Sequence, residues 1–125
     1  MLDHVSIGTA DIARARRFYD AALAPLGYTC LSASDDSLGY GAKEAALWIL
    51  AADRPVPADM RSGLHLCLAA PDAAAIDAFH AAALKMGGTD NGPPGRRTDY
   101  SPGYYAAFVI DPDGYRLEAH YEISG

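Results

Sequence analysis

Cysteine, basic residues and long apolar runs are all scarce in this 125-residue sequence, and each scarcity excludes a class of protein. The two cysteines, Cys30 and Cys67, are too few for a disulfide framework and form no CxxC pair, so both are expected to be reduced thiols. Ten Lys and Arg against sixteen Asp and Glu give a net charge of −6. Because nonspecific nucleic-acid binding depends on clustered cations, no nucleic-acid partner is expected.

Apolar residues make up half of the chain but never run for the roughly 20 positions that a membrane span requires. The first residues, MLDHVSIGTAD, lack the charged and hydrophobic regions of a secretion signal. The expected location is therefore the cytoplasm, with no membrane partner. The length is that of one domain, large enough for a core and too short for two independent domains.

What the chain does contain is an internal repeat, which relates residues 3–29 to residues 64–90 at a constant offset of 61. Without any gap, identical residues recur along both copies, and seven pairs of them define the alignment. Such agreement in register is hard to attribute to an Ala-rich composition, so the chain is interpreted as a duplication. The seven pairs are His4 and His65, Asp11 and Asp72, Phe18 and Phe79, Ala21 and Ala82, Ala22 and Ala83, Leu23 and Leu84, and Gly27 and Gly88.

Each copy predicts the same order of elements, which is a strand, a helix and three further strands. Residues 3–9 and 63–70 are predicted as short strands, and Asp11 and Asp72 stand where a carboxylate can cap the following helix. The predicted fold class is α+β, with two tandem βαβββ modules in a single domain. The modules are placed at about 1–52 and 63–123, with a linker over 53–62.

The last strands of the two copies align only when Trp48 is placed on Glu118, at an offset of 70. The second copy must then hold nine extra residues, and the Gly- and Pro-rich stretch 91–103 is the natural place for them. This stretch is predicted to be irregular, either a lid or a structural loop. The closing strand, 115–122, follows a DPDG turn, and its polar face carries Glu118 and His120. That face is either a solvated surface or the wall of a site.

The duplicated units, with His4 and His65 at the start of each first strand, resemble the vicinal oxygen chelate superfamily, as do the DPDG turn and the LEAH strand that holds Glu118. This group includes glyoxalase I, extradiol dioxygenases, fosfomycin-resistance thiol transferases and bleomycin-resistance proteins. The resemblance covers essentially the whole chain. It implies a curved mixed sheet, formed by both modules around a central cavity, with a divalent metal ion held by His4, His65 and Glu118. The fourth ligand position falls on Trp48, whose indole has no lone pair for a metal and is therefore assigned to the cavity wall.

Two imidazoles and one carboxylate can bind a first-row divalent ion and leave its other positions open for a substrate. Iron, manganese, zinc and nickel are all compatible with these ligands. The alternative is that His4 and His65 are ordinary strand residues in a scaffold that has lost its metal.

Side chains alternate between the two faces of a strand, so a residue two positions from one of the expected ligands lies beside it on the same face. Ser6, Cys67 and His120 each lie two residues from one of them and therefore on the same face. Tyr104 and Tyr105 are consecutive, so one of the two must face away from the cavity. The residues predicted to act in catalysis are His120, Tyr105 and Ser6, and those predicted to line the substrate cavity are Trp48, Cys67, Tyr100, Tyr104 and Arg97.

Two functions follow from this resemblance. The first is a metal-dependent lyase, transferase or dioxygenase whose small substrate chelates the metal through neighbouring oxygens. The second is a metal-free protein that sequesters a small ligand, of the bleomycin-resistance kind. Trp48 in place of a carboxylate argues against glyoxalase I activity, and the fosfomycin-resistance transferases are locally more similar. A half-open sheet edge predicts a homodimer, and the cavity can form within one chain or across a swapped dimer.

Overall fold

The computed structural model describes residues 1–55 and 61–124, and its element order confirms an α+β fold with two βαβββ modules. Residues 56–60 of the predicted linker lie outside the described residues. The first module contains β1 (Val5–Thr9), α1 (Ile12–Leu23), β2 (Thr29–Ala33), β3 (Ser37–Gly41) and β4 (Leu47–Ala51), and the second contains β5 (Leu66–Ala69), α2 (Ala73–Lys85), β6 (Thr89–Arg96), β7 (Tyr104–Ile110) and β8 (Arg116–Glu122).

Both helices begin at an aspartate, as the repeat predicts. The Asp11 carboxylate accepts a hydrogen bond from the backbone N–H of Arg14, and Asp72 accepts one from Ala75. Each bond satisfies an amide that has no acceptor within the helix. Within the described ranges, neither helix is long and apolar enough to cross a membrane.

Each module forms its own four-stranded sheet, in which the first strand runs parallel to the last and the other pairs are antiparallel. The strand orders are β1-β4-β3-β2 and β5-β8-β7-β6. The modules therefore contribute two separate ladders rather than one continuous hydrogen-bonded sheet. The core lies between each sheet and its helix, and we call the opposite side of each sheet its open face. Core side chains include Ile7, Phe18, Tyr19, Leu38, Ile49, Ile76, Phe79, Val109, Leu117 and Ala119.

Tyrosine side chains connect the free edges of β1 and β5 to the other module. The backbone N–H of Gly8 donates to the Tyr115 hydroxyl at 3.2 Å, and the Tyr28 hydroxyl donates to the Ala69 carbonyl at 2.6 Å. Gly8 and Ala69 occupy equivalent positions at the repeat offset of 61. In the described part of the chain, each first strand keeps an edge that no further strand covers.

The stretch 91–103 begins as a strand, which corrects the prediction of an irregular loop. Strand β6 runs through two prolines and pairs with β7, with register shifts after Asp90 and after Gly92. Prolines are tolerated here because β6 is an edge strand and its bulges leave positions without a ladder bond. The remaining residues turn back towards β7, and the Tyr100 N–H donates to the Arg97 carbonyl at 2.9 Å.

The DPDG turn holds the two modules together. Asp111 is only 4% exposed; it accepts two backbone N–H bonds within its own turn and one bond from the Tyr19 hydroxyl of α1. Asp113 accepts from the Thr9 hydroxyl at 2.7 Å and from the Arg14 guanidinium at 2.6 Å. Since Thr9, Arg14 and Tyr19 belong to the first module, these bonds fix how the second module sits on it.

Candidate functional site

Glu118 is buried although it lies on the open face of the second sheet. Its neighbours on β8, Leu117 and Ala119, face the core, so alternation turns Glu118 to the other side. Its carboxylate is in contact with two side chains: the His65 Nε2 atom lies 2.7 Å from Oε1, and the Tyr104 hydroxyl donates to Oε2 at 2.5 Å. Among the described residues, no Lys or Arg forms an ion pair with this carboxylate. With 2% of Glu118 exposed, its charge depends on these partners.

Tyr104 extends this group of side chains towards the edge of the sheet. Its ring stacks on the His120 ring at a centroid distance of 3.8 Å, and Tyr100 packs edge-on against it at 4.9 Å. Desolvation and the hydrogen bond to Glu118 raise the pKa of Tyr104 above its usual range, so the phenol stays protonated. His120 lies at the rim, with its Nε2 atom 3.4 Å from the exposed carboxylate of Glu122.

Cys67 lies beside Glu118, because the two residues are in register in the parallel pair of β5 and β8. The residue as a whole is exposed, but desolvation of its thiol and the neighbouring carboxylate raise the pKa of Cys67 to about 12. The thiol is therefore protonated at neutral pH in the metal-free protein, which makes it a poor nucleophile there. We refer to Glu118, His65, Tyr104, Cys67 and His120 as the Glu118 cluster.

Phe108 forms a wall of this cluster that the sequence reasoning missed. It faces Glu118 across the β7 and β8 ladder, and its ring lies 6.1 Å from the His65 ring. The Arg97 guanidinium lies over the Phe108 ring, 5.3 Å from its centroid. Period two along β7 could have found Phe108, because it lies four residues from Tyr104 and therefore on the same face.

Tyr105 faces the other way, which corrects the prediction that it acts in the cavity. It lies opposite Tyr121 in the ladder, and its hydroxyl donates to the Asp77 carboxylate of α2 at 2.6 Å. Consecutive strand residues point to opposite faces, so only Tyr104 of this pair reaches the open face.

His4 is the expected metal ligand that the structure does not join to the Glu118 cluster. It precedes β1, its side chain is 50% exposed, and its Nδ1 atom lies 2.7 Å from the Asp3 carboxylate. It does line, together with His65 and Cys67, a cavity of about 740 Å³ between the two modules. Apolar lining comes from both modules and includes Leu23, Tyr28, Tyr40, Leu47, Leu66 and Leu68.

The fit of a metal ion to these residues is therefore partial. Two of the three expected ligands, His65 and Glu118, are in direct contact, and the third, His4, lines the same cavity as His65. Over residues 1–55 and 61–124, no three His, Cys, Asp or Glu side chains are grouped as metal ligands. The ligand set of His4, His65 and Glu118 stays a prediction.

On the first module, Trp48 and Ser6 lie side by side on the open face. They are paired in register between β4 and β1, and Ser6 is exposed. The indole lies against Gly39 of β3, where an added Cβ atom would be only 2.7 Å from the ring. Among the described residues, no hydrogen bond or ring contact joins Trp48 or Ser6 to the Glu118 cluster.

The sequence matches the family model of the Glyoxalase/Bleomycin resistance protein/Dioxygenase superfamily over residues 1–119. The chain belongs to this superfamily. The match extends over both modules and includes His4, His65 and Glu118. Divalent metals are common in the superfamily. Among curated proteins, none matches the chain.

Solved structures agree with this membership. A glyoxalase/bleomycin resistance protein from Albidiferax ferrireducens T118 is 31% identical, with a TM-score of 0.85 over 98% of this chain and 99% of that chain. A glyoxalase/bleomycin resistance protein/dioxygenase from Alicyclobacillus acidocaldarius is 21% identical, with a TM-score of 0.68 over 99% and 92%. The fosfomycin resistance protein FosX from Mesorhizobium loti is 19% identical, with a TM-score of 0.70 over 98% and 92%. The last two show a shared fold only.

Proposed function

We propose that the protein is an enzyme that binds a small oxygenated substrate through two neighbouring oxygens on a divalent metal ion, with His4, His65 and Glu118 as its ligands. The observation that carries the proposal is the buried carboxylate of Glu118 in direct contact with the His65 imidazole. Such an ion, when bound, stabilises negative charge that develops on substrate oxygens.

The side chains around Glu118 support this role. A carboxylate that is 2% exposed is tolerated only with good partners, and a cation is the strongest partner available to it. Tyr104 holds Oε2 in place and leaves Oε1 directed at His65. Phe108 and Cys67 lie beside the two expected ligands: the Phe108 ring is 6.1 Å from the His65 ring, and Cys67 is in register with Glu118. His120, stacked on Tyr104 at the rim, stays our candidate for holding or moving a proton.

The contact of His4 with Asp3 uses Nδ1 and leaves Nε2 available for a metal ion, and this contact also costs little to break. The Asp3 carboxylate is 91% exposed and the His4 side chain 50%, so their contact is a surface pair. Surface pairs are worth at most about 1 kcal/mol, which a bound divalent ion easily offsets.

A second candidate function, metal-free binding of a small ligand, is favoured by two specific observations. Both oxygens of Glu118 already accept hydrogen bonds from protein side chains, and the fourth ligand position is held by Trp48. On this alternative the cavity of about 740 Å³ holds an apolar or cationic molecule, and the aromatic side chains bind it by stacking.

The proposal also includes a homodimer in the cytoplasm. The free edges of β1 and β5 support a dimer, because uncovered strand edges readily pair with a second chain. The two cysteines, neither of them in a disulfide, support a reducing compartment.

The test is metal titration of chelator-treated protein by calorimetry, with Mn²⁺ and Zn²⁺ as probes. We expect wild type to bind one ion per chain, and His65→Ala and Glu118→Gln to weaken binding by more than about 100-fold, since each removes a ligand. His80→Ala and Glu122→Gln are matched controls, because both side chains lie outside the ligand set, and we expect them to bind as wild type does. Equal affinity in all five proteins contradicts the proposal. Absence of metal binding, with thermal stabilisation by a small aromatic ligand, supports the second candidate instead.

A further inference from the structure

Arg97 is held in a fixed position on the open face of the second sheet. Its Nη2 atom donates to the Pro93 carbonyl at 2.6 Å, and its guanidinium lies over the Phe108 ring. Two glycines of β6 make room for it: an added Cβ atom at Gly92 would lie 3.3 Å from Nη2, and one at Gly95 would lie 3.2 Å from Nη1. The bulged, glycine-containing course of β6 therefore allows the guanidinium to lie flat against the strand.

The charge of Arg97 is not neutralised by any described residue. Its one hydrogen bond goes to a backbone carbonyl, and no carboxylate lies within ion-pair distance in the described ranges. Arg14 and Arg16, in contrast, are each paired with an aspartate. Arg97 is half-buried, and most of its N–H donors remain available.

The position of Arg97 relates it to the Glu118 cluster. Phe108 is in register with Glu118; its ring lies 6.1 Å from the His65 ring, and the Arg97 guanidinium lies 5.3 Å from its centroid. The same aromatic ring therefore neighbours both a proposed metal ligand and a fixed cation. A ligand bound at His65 and Glu118 that extends along Phe108 meets the guanidinium.

We infer that Arg97 binds an anionic group of the substrate, a carboxylate or a similar oxyanion. The substrate class is then a small molecule with two neighbouring oxygens at one end, an apolar middle that lies against Phe108, and an anion at the other end. A guanidinium suits this role because its planar donors match an oxyanion with two parallel hydrogen bonds. The chelating end of this description rests on the proposed function, whereas the anionic end rests on Arg97 alone.

The test uses caffeate and caffeamide, which share a catechol and a conjugated stem and differ in the charge at the far end. Binding of each to metal-loaded protein is measured by calorimetry. We expect wild type to prefer caffeate by about tenfold or more, and Arg97→Met to abolish this preference while leaving the affinity for caffeamide unchanged. Arg97→Lys keeps the charge but not the planar fork, so we expect it to retain part of the preference.

Arg96→Met is the matched control, because Arg96 shares the face of Tyr105 and donates instead to the Pro102 carbonyl at 3.0 Å. We expect it to keep the wild-type preference. Three results overturn the inference. Wild type binds both compounds with equal affinity, Arg97→Met loses affinity for both to the same extent, or neither compound binds.

Metal content is measured on the same samples to separate the two proposals. If wild type contains no metal but still prefers caffeate, and Arg97→Met loses this preference, the proposed function is contradicted and the Arg97 inference stands. If wild type contains metal but does not prefer caffeate over caffeamide, the Arg97 inference is contradicted and the proposed function stands.

Discussion

Glu118 and Tyr104 show how one buried carboxylate organises its surroundings. Glu118 accepts hydrogen bonds on both oxygens, and removal of either donor leaves one oxygen of a buried carboxylate without its protein partner. Symmetry between the two copies predicted Glu118 and His65 as neighbours, and the structure brings them into contact. The contact with Tyr104 could not be predicted in the same way, because the first copy has no counterpart of it.

We predict that Tyr104→Phe lowers the free energy of unfolding by about 1 to 3 kcal/mol, because it leaves Oε2 of a buried carboxylate unsatisfied. Urea unfolding measures the change. Tyr100→Phe is the matched control: Tyr100 is 65% exposed, so we expect no measurable change. Equal stability of Tyr104→Phe and wild type contradicts the role given to this hydrogen bond.

At the scale of elements, periodicity predicted the helices and most strands. It did not predict strand β6 or the face of β7 on which Tyr105 lies. Two prolines and two glycines indicated a loop at β6, and the bulges that accommodate them depend on the partner strand, which local sequence does not specify. The facing of Tyr105 could have been predicted. Asp111 donates its backbone N–H to the Tyr115 carbonyl, so the DPDG turn sets the hairpin register and places Tyr104 on the face of Glu118.

The helix caps allow a test at the same scale. We predict that Asp72→Ala lowers the free energy of unfolding by about 1 kcal/mol, because the N–H of Ala75 loses its acceptor. Asp35→Ala removes an exposed carboxylate without a described hydrogen bond, and we expect a change of less than about 0.5 kcal/mol. The free energy of unfolding of both variants is measured in urea. An equal decrease for the two substitutions contradicts the capping role.

At the scale of the whole molecule, the DPDG turn couples the two modules through buried polar groups. The sequence predicted the turn but not its partners, since Thr9, Arg14 and Tyr19 come from the other module. Burial raises the pKa of Asp111 above its ordinary value despite the hydrogen bonds that it accepts. The folded protein therefore holds this proton more tightly than the unfolded chain does.

This linkage predicts a pH dependence of stability. The contribution of Asp111 is fully present below the unfolded pKa of about 3.9 and is lost as pH rises through the higher folded pKa. We expect wild type to lose stability relative to Asp111→Asn as pH rises above about 4, measured by urea unfolding at a series of pH values. A relative stability of wild type that rises with pH contradicts the direction of this shift.

We propose that His65 and Glu118, together with His4, hold a divalent metal ion between the modules. It is tested most directly by elemental analysis of protein purified without a chelating column, with wild type, Glu118→Gln and the control Glu122→Gln prepared in parallel. We expect about one bound first-row metal per chain in wild type and in Glu122→Gln, and almost none in Glu118→Gln. The same metal content in all three proteins, or no metal in wild type, contradicts it.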